Sequence, residues 1–279
     1  MKFTKMHGIA NDYIYINCFE ERVGDPAALS VKLSDRRRSV GGDGIILICP
    51  SETADFKMRI FNADGSEGKM CGNGARCVGK YVYDKGLTKK TEVTLETLSG
   101  IKTLHLHVSD GEVDGVTVDM GRVSFKTKDV PAAFPKDEMV KEHISVAQKD
   151  VFATAVSVGN PHCVIFTDED IDGMELEKIG PSFEHNPIFP EGVNTEFVNV
   201  IDARTLKMRV WERGSGETMA CGTGACAVAS AAVKTGISPA GEKITVMLRG
   251  GNLEITVFED GRVTMTGPAE TAFEGEVKV

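Results

Sequence analysis

The sequence lacks the features of membrane, exported and nucleic-acid-binding proteins. Lys and Arg number 32 against 41 Asp and Glu, so the formal net charge of −9 at pH 7 argues against a nucleic-acid partner. No apolar run approaches the ~20 residues that span a bilayer. The amino terminus also lacks the apolar core and cleavage site of a signal peptide. We therefore expect a soluble, cytoplasmic protein without a membrane or nucleic-acid partner.

Linkers and paired cysteines are also lacking. The chain of 279 residues is long for one compact domain and sufficient for two, yet it has no low-complexity segment and no linker rich in Pro or Ser. Seven cysteines is an odd number in a chain without an export signal. This count favours a reducing compartment over a disulfide framework.

What the sequence does contain is a duplicated cysteine motif within a longer internal repeat. "MCGNGARC" (70–77) recurs as "ACGTGACA" (220–227), and the offset of 150 continues upstream without a gap, so that Arg59 aligns with Arg209 and Glu67 with Glu217. "NDYIYI" and "NPHCVIF", starting at Asn11 and Asn160, match at an offset of 149. One register held over so long a stretch predicts two copies of one structural unit.

Both copies have the pattern of strands followed by a buried helix. Alternating apolar residues predict strands at 55–61, 92–98, 101–108, 205–211 and 252–258, and Asp25 followed by Pro26 predicts a peripheral helix over 25–36. The segments 75–86 and 225–236 are apolar or small over most of their surface and end at glycines, which predicts two buried helices.

We therefore predict an α+β fold with two pseudo-symmetric lobes, each a mainly antiparallel sheet curled around a central helix. The predicted amino-terminal lobe is 1–119, completed by a carboxyl-terminal strand at 264–279, and the second lobe is 120–263. The repeat fades near 115–123 and near 260–268, where strands are expected to cross from one lobe to the other.

Several readings of the cysteines remain open. Zinc sites commonly pair cysteines as C-x2-C, whereas here the cysteines within each motif are six and five residues apart. "GTGACA" (222–227) formally fits a dinucleotide-binding pattern but follows a polar segment. A third interpretation is that the cysteines are small apolar residues of the core. It suits Cys18, Cys49 and Cys163 in strand segments, and Cys77 and Cys226 on the two buried helices.

Burial alone fits Cys71 and Cys221 poorly. Each precedes a predicted helix, where unpaired backbone N–H groups and the helix dipole are expected to lower the pKa of a thiol. We expect the two helix ends to face each other across a cleft. Two such thiols suit the inversion of a stereocentre, which needs a base on one face of a carbon and an acid on the other. Backbone N–H groups at both helix starts would hold a carboxylate on that carbon.

Three segments resemble the signatures of the diaminopimelate epimerase family: "FNADGSEGKMCGNGARC" (61–77), "GNPHCVIF" (159–166) and "WERGSGETMACGTGACA" (211–227). The resemblance extends from Asn11 to the 260s. It implies a homodimeric enzyme of lysine and peptidoglycan-precursor synthesis that interconverts LL- and meso-diaminopimelate without metal, pyridoxal phosphate or any other cofactor. Its only ligand would be this small-molecule substrate.

The resemblance also assigns residues. It implies that Cys71 and Cys221 are the acid/base pair and that His162 and Glu212 form a polar pair near the reacting carbon. The implied substrate contacts are Asn11, Asn62, Gly72, Asn73, Asn160, Asn194, Glu212, Arg213, Gly222 and Thr223. Some family members have a glutamine contact where this chain has Gly44, and that contact is not carried over.

Structural roles for these residues remain alternatives. Arg213 would then be a surface arginine with Glu212 as its ion-pair partner, His162 a core histidine, and the asparagines turn formers. Three acidic residues are expected to brace turns: Asp43, Asp64 and Glu67. Two rival functions also remain, a proline or hydroxyproline racemase of the same fold and a redox switch that joins Cys71 to Cys221. The proline racemase motif resembles M-C-G-H-G, with histidine at the position of Asn73.

Overall fold

The structure, a computed structural model, describes residues 1–146 and 149–278. The first half of the chain forms β1 Lys2–Gly8, β2 Asn11–Asn17, α1 Pro26–Ser34, β3 Gly44–Cys49, β4 Phe56–Asn62, β5 Glu67–Gly68, α2 Gly72–Asp84, β6 Glu92–Thr97, β7 Gly100–Ser109 and β8 Glu112–Arg122. A short 3-10 helix at Thr127–Asp129 is followed by β9 Glu142–Val146, β10 Lys149–Ser157, β11 Pro161–Phe166, α3 Leu176–Glu184, β12 Asn194–Asp202, β13 Thr205–Glu212 and β14 Gly216–Glu217. The chain ends with α4 Gly222–Lys234, β15 Lys243–Leu248, β16 Gly251–Val257, β17 Arg262–Gly267 and β18 Glu270–Glu276. The predicted strands are confirmed to within a residue or two.

The chain divides into two compact units. Unit 1 comprises Met1–Asp119 with Thr266–Val279, and unit 2 comprises Met120–Met265. The chain passes from unit 1 to unit 2 within β8 and returns within β17. Among the described residues, no helix has the length and apolarity that a membrane crossing requires.

Strand pairing repeats from one unit to the other, so the predicted internal duplication is confirmed. In unit 1, β2 and β3 are parallel, β3 and β4 antiparallel, and β4 and β6 parallel. In unit 2, the pairs β11 with β12, β12 with β13 and β13 with β15 have the same orientations in the same order. The register is also preserved, because Tyr13 lies opposite Gly44 and His162 lies opposite Asn194. Equivalent residues of the two units therefore occupy equivalent backbone positions.

The buried helices α2 and α4 are the core of their units. α4 packs against β10 to β13, β15 and β16, and α2 packs against β1, β2 and β7. Gly79 allows this approach in unit 1, because a Cβ there would lie 2.8 Å from the side chain of Leu106. Both helices are followed by glycines with positive φ, +73° at Gly86 and +77° at Gly236, which L side chains rarely adopt. Both helices begin three residues earlier than predicted, directly after the cysteines.

Helix α3 is absent from the sequence predictions although it lies at an offset of 150 from α1. Pro181 lies inside it, and an internal proline normally argues against a helix. α3 is held by tertiary packing, because a Cβ on its Gly180 would lie 2.2 Å from the ring of Trp211. The Trp211 indole N–H also donates to Glu184 at the end of the helix, at 2.8 Å. Packing against a neighbouring side chain thus overrides the local signal.

Candidate active site

In unit 1, Cys71 is the N-cap residue of α2. Its extended backbone (φ −135°, ψ 117°) ends the preceding loop, and its Sγ accepts a hydrogen bond from the N–H of Gly74 at 3.3 Å. The thiol S–H in turn donates to Oδ1 of Asn11 at 3.3 Å. The side chain is half-buried. The predicted position of this cysteine at a helix amino terminus is therefore confirmed.

A carboxylate fixes the orientation of Asn11. Asp43 accepts from Nδ2 of Asn11 at 2.7 Å, which turns the amide oxygen towards Cys71 and Asn73. Asp43 also accepts from Arg36 at 2.9 Å, so the carboxylate is itself held in place. The predicted bracing role of Asp43 is confirmed. So are those of Asp64, which accepts from Ser66 N at 2.8 Å, and of Glu67.

Asn62 and Gly44 are two further positions of unit 1 that the sequence singled out. Asn62 donates to the hydroxyl of Ser66 at 3.0 Å, which matches its alternative role as a turn former. At Gly44 a Cβ would lie 2.0 Å from the carbonyl oxygen of Phe61. This backbone therefore has no space for any side chain at residue 44, so a glutamine contact from that position would require the backbone to move.

In unit 2, Cys221 is the N-cap of α4 in the same way. Its Sγ accepts from the N–H of Gly224 at 3.3 Å and lies 3.5 Å from the hydroxyl of Thr223. The side chain is only 5% exposed. Gly224 leaves room for a carboxyl group here, because a Cβ at that position would lie 2.8 Å from Oε1 of Glu196.

A chain of hydrogen bonds connects Cys221 to a buried acid–histidine pair. Asn160 Nδ2 donates to the Thr223 hydroxyl at 3.2 Å, and Asn160 Oδ1 lies 2.9 Å from Nε2 of His162. Nδ1 of His162 lies 2.6 Å from Oε1 of Glu196, and both side chains are fully buried. Sequence reasoning missed Glu196. Its signal was a carboxylate within "NTEFVNV", at a position that aligns with Ile46 of the first copy.

The expectation that the helix terminus would lower the thiol pKa is wrong for Cys221. Burial raises the pKa of the Cys221 thiol well above its ordinary value, and a negative charge on Glu212 or on Glu196 acts in the same direction. The hydrogen bonds from Thr223 and Gly224 lower it, but these contributions are smaller. The helix start therefore only partly offsets the cost of placing a charged sulfur in a dry site.

Two further residues predicted for the site in unit 2, Asn194 and Arg213, are joined by a hydrogen bond. The backbone N–H of Arg213 donates to Oδ1 of Asn194 at 2.9 Å, and the Asn194 amide donates to the carbonyl of Pro161 at 2.8 Å. The Arg213 guanidinium reaches the carbonyl of Glu191 at 3.0 Å and is solvent-exposed. Glu212 accepts from the hydroxyl of Thr218. Asn194 thus ties the start of β12 to the residue that follows β13.

The remaining cysteines differ in burial. Cys77, Cys163 and Cys226 are fully buried, as predicted. Cys18 and Cys49 are half-buried, so their assignment as buried core residues is wrong. Cys18 directly follows β2 and Cys49 is the last residue of β3. A hydrogen bond between the two thiols raises the pKa of Cys18 and lowers that of Cys49. Within residues 1–146 and 149–278, no three His, Cys, Asp or Glu side chains converge as potential metal ligands.

The fold is shared with several proteins of known structure. A probable proline racemase from Agrobacterium radiobacter has a TM-score of 0.71 at 15% identity, covering 100% of this chain and 93% of its own. A phenazine biosynthesis protein from Bacillus anthracis has a TM-score of 0.73 at 16% identity, covering 100% and 99%. At such low identity the likeness shows the fold alone.

Similarity in sequence places the chain more closely. The profile of the diaminopimelate epimerase family matches residues 3–126 and 154–272. Diaminopimelate epimerases from Acetivibrio thermocellus and Methanococcus maripaludis are 55% and 51% identical, covering 99% and 100% of this chain and 98% and 100% of their own length. The chain belongs to the diaminopimelate epimerase family.

Proposed function

We propose that the protein interconverts LL- and meso-diaminopimelate by a two-base proton transfer between Cys71 and Cys221. The thiolate of one cysteine removes the α-proton and becomes a thiol. The thiol of the other cysteine delivers its proton to the opposite face of the same carbon and becomes the thiolate. The reverse reaction exchanges the two roles.

One observation carries this proposal. Each unit contributes a cysteine at the N-cap of a buried helix, with the sulfur 3.3 Å from the N–H of the residue three positions further on. Membership of the epimerase family over the full chain supplies the substrate class. A duplicated thiol suits inversion because one such group is needed on each face of a stereocentre.

The helix starts supply the electrostatic part of the proposed mechanism. Gly72 with Asn73, and Gly222 with Thr223, occupy the first two positions of α2 and α4, where backbone N–H groups have no partner within the helix. Such groups bind a carboxylate and stabilise the negative charge that develops as the α-proton leaves. Removing one comparable donor from an oxyanion site costs about 10²–10³-fold in rate.

Resting protonation states follow from the two environments. Because burial raises the pKa of Cys221, we assign it as the thiol that holds a proton in the substrate-free protein, and hence as the acid for the first turnover. Cys71 is then the base for that turnover, once its S–H, which donates to Asn11, has lost its proton to solvent and become the thiolate. Its half-buried side chain is more accessible to solvent than that of Cys221.

The remaining substrate contacts are assigned through the family. Asn11, Asn62, Asn160, Asn194, Glu212 and Arg213 would hold the polar groups of the distal amino-acid end, with His162 and Glu212 near the reacting carbon. Within this proposal the enzyme acts in the cytoplasm as a homodimer, in lysine and peptidoglycan-precursor synthesis, and without a cofactor. The two lobes would correspond to 1–119 with 264–279, and 120–263.

The experiment is an assay of purified protein, extensively dialysed against a chelator, with LL-diaminopimelate, L-proline and trans-4-hydroxy-L-proline. Epimerisation of diaminopimelate, with no activity on either proline substrate, supports the proposal. Activity only on a proline substrate would contradict the substrate assignment. Absence of activity on all three, together with a reversible disulfide between Cys71 and Cys221, would favour the redox-switch alternative.

A further inference from the structure

The hydrogen-bond chain behind Cys221 has a direction. Asn160 contributes both ends of its amide, with Nδ2 donating to the Thr223 hydroxyl and Oδ1 facing Nε2 of His162. Because Oδ1 can only accept, Nε2 must carry a proton for this contact to be a hydrogen bond. The Thr223 hydroxyl, which accepts from Asn160, is then free to donate to the sulfur of Cys221 at 3.5 Å. All three donors point towards the sulfur.

The other end of this hydrogen-bond chain, at His162 and Glu196, determines whether all the donors can point towards the sulfur. Nδ1 of His162 lies 2.6 Å from Oε1 of Glu196. A neutral histidine that carries its proton on Nε2 has an unprotonated Nδ1, which needs a donor. Its hydrogen-bond partner among the described residues is the carboxyl of Glu196, and a carboxyl donates only when it is protonated.

We propose that Glu196 is a positioning residue that remains a neutral carboxylic acid and holds His162 in the Nε2–H tautomer, so that Asn160 and the Thr223 hydroxyl are oriented towards Cys221. This inference rests on the proposed function, and it adds a residue that acts through His162 and does not touch the substrate. It concerns only unit 2, which contains every residue of the hydrogen-bond chain from Glu196 to Cys221.

Burial is the physical reason for a neutral acid. Glu196 and His162 are both fully buried, and Oε2 of Glu196 has no hydrogen-bond partner among the described residues. An ionised carboxylate with one bare oxygen in such a site would carry a large desolvation cost, whereas a neutral acid leaves only a carbonyl oxygen unpaired. Burial accordingly raises the pKa of Glu196, and the charge of Glu212 adds to this effect, while His162 opposes it.

A neutral Glu196 also matters for the sulfur. The other titratable groups near Glu196 are Cys163, Glu212 and Cys221, and a charge on Glu196 raises the pKa of both thiols. Protonation of Glu196 removes one of the two negative charges that oppose the Cys221 thiolate. The neutral acid therefore favours thiolate formation in two ways, through lower repulsion and through a donated Thr223 hydroxyl.

Unit 1 supplies a natural comparison. The residues aligned with His162 and Glu196 are Tyr13 and Ile46, and a methyl group of Ile46 approaches Gly74 as Glu196 approaches Gly224. The equivalent of the buried acid is thus a hydrocarbon, and Asn11 is oriented by Asp43 instead. Glu196→Ile therefore places in unit 2 a side chain that the equivalent site already accommodates.

The direct test is NMR of substrate-free protein labelled with ¹⁵N-histidine, in which two-bond ¹H–¹⁵N correlations report the protonation of each ring nitrogen. The His162 signals are assigned by their loss in His162→Gln. We expect a protonated Nε2 and an unprotonated Nδ1 at neutral pH. A proton on Nδ1 alone would overturn the proposal, and so would protons on both nitrogens, which would mean that Glu196 is ionised.

Kinetics provide the second readout. Glu196→Gln keeps the size of the side chain and a neutral donor for Nδ1, so we expect it to retain most of kcat. Glu196→Ile removes the donor and should lower kcat by roughly 10–100-fold, the range known for groups that orient metal-bound histidines. Equal losses in the two variants would refute a neutral-donor role. The NMR result does not depend on which substrate is turned over, so it fails or holds independently of the proposed function.

Discussion

Replacing Glu217 by glutamine tests whether burial decides the value of a duplicated ion pair. The repeat places the same pair in both units, Arg59 with Glu67 and Arg209 with Glu217, with Nε–Oε1 distances of 2.8 and 2.7 Å. The two differ in exposure: the first pair is 37% and 30% exposed, and the second only 9% and 7%. The matched variants are therefore Glu217→Gln and Glu67→Gln.

The expected magnitudes follow from this exposure. Breaking a buried pair leaves an uncompensated charge and costs about 3–5 kcal/mol, whereas an exposed pair contributes about 0.2–1 kcal/mol. Nη1 of Arg209 also donates to the backbone carbonyls of Ile171, Asp172 and Met174, and these contacts survive the substitution. We therefore expect Glu217→Gln to lower the free energy of unfolding by about 3 kcal/mol, at the lower end of the range for a buried pair.

Urea unfolding followed by far-UV circular dichroism measures both variants, and fluorescence of Trp211, the single tryptophan, reports on unit 2. The midpoint of Glu217→Gln should fall by about 1–2 M, given typical urea dependences for proteins of this size. Glu67→Gln should shift the midpoint by less than about 0.5 M. Equal shifts in the two variants would refute the argument from burial.

The same comparison has a pH dependence. Burial acts to raise the pKa of Glu217 in the folded protein, but hydrogen bonds from Arg209 and Arg249 outweigh it and lower the pKa. A lowered pKa contributes stability that is complete above the unfolded value near 4.3 and disappears as the pH falls through the folded value. The difference between wild type and Glu217→Gln should therefore be full at pH 7 and should shrink below about pH 4. A difference that grows on acidification would contradict the assigned ion pair.

Three further predictions concern the cysteines and helix α3. Cys71→Ala and Cys221→Ala should each lower kcat by at least about 10²–10⁴-fold with near-native circular dichroism, and full activity in either would remove that thiol from the mechanism. In a Cys71→Ala background, the rate of Cys221 labelling by iodoacetamide can be measured against pH, with peptide mass mapping to identify the labelled cysteine. The apparent pKa of Cys221 should lie above the ordinary value of about 8.5, and a lower value would contradict its assignment as the resting thiol. Gly180→Ala should destabilise unit 2 by about 1–3 kcal/mol and shift the Trp211 emission, because its methyl group overlaps the indole ring, whereas an unchanged midpoint would contradict that packing.

The duplication explains which elements the sequence predicted and which it did not. α1 was predicted because Asp25 and Pro26 are a local start signal, and the Asp25 side chain does accept from the N–H of Ala28 at 3.0 Å. α3 has no such cap and contains Pro181, so only the 150-residue offset from α1 could have located it. It packs on the core through Leu176 and Phe183 and on Trp211 through Gly180, and local sequence does not encode these contacts.

The site residues also divide into those marked by local sequence and those placed only by the fold. The cysteines at 71 and 221 were predicted correctly as helix starts, because glycines and a following apolar segment mark a helix boundary. Glu196 was missed because a carboxylate within a strand usually faces solvent, and only the fold places it under the amino terminus of α4. The pKa of Cys221 was also mispredicted, because the helix dipole is a local property whereas burial depends on every element packed around the thiol.

The most direct test of the central claim is epimerisation in deuterium oxide with purified protein, followed at early times by NMR or mass spectrometry of the separated isomers. Two thiols acting on opposite faces predict that newly inverted product carries one solvent deuterium at the inverted α-carbon, while the remaining substrate carries none. Equal early labelling of substrate and product would mean that one group both removes and returns the proton. That result would contradict the two-base mechanism of Cys71 and Cys221.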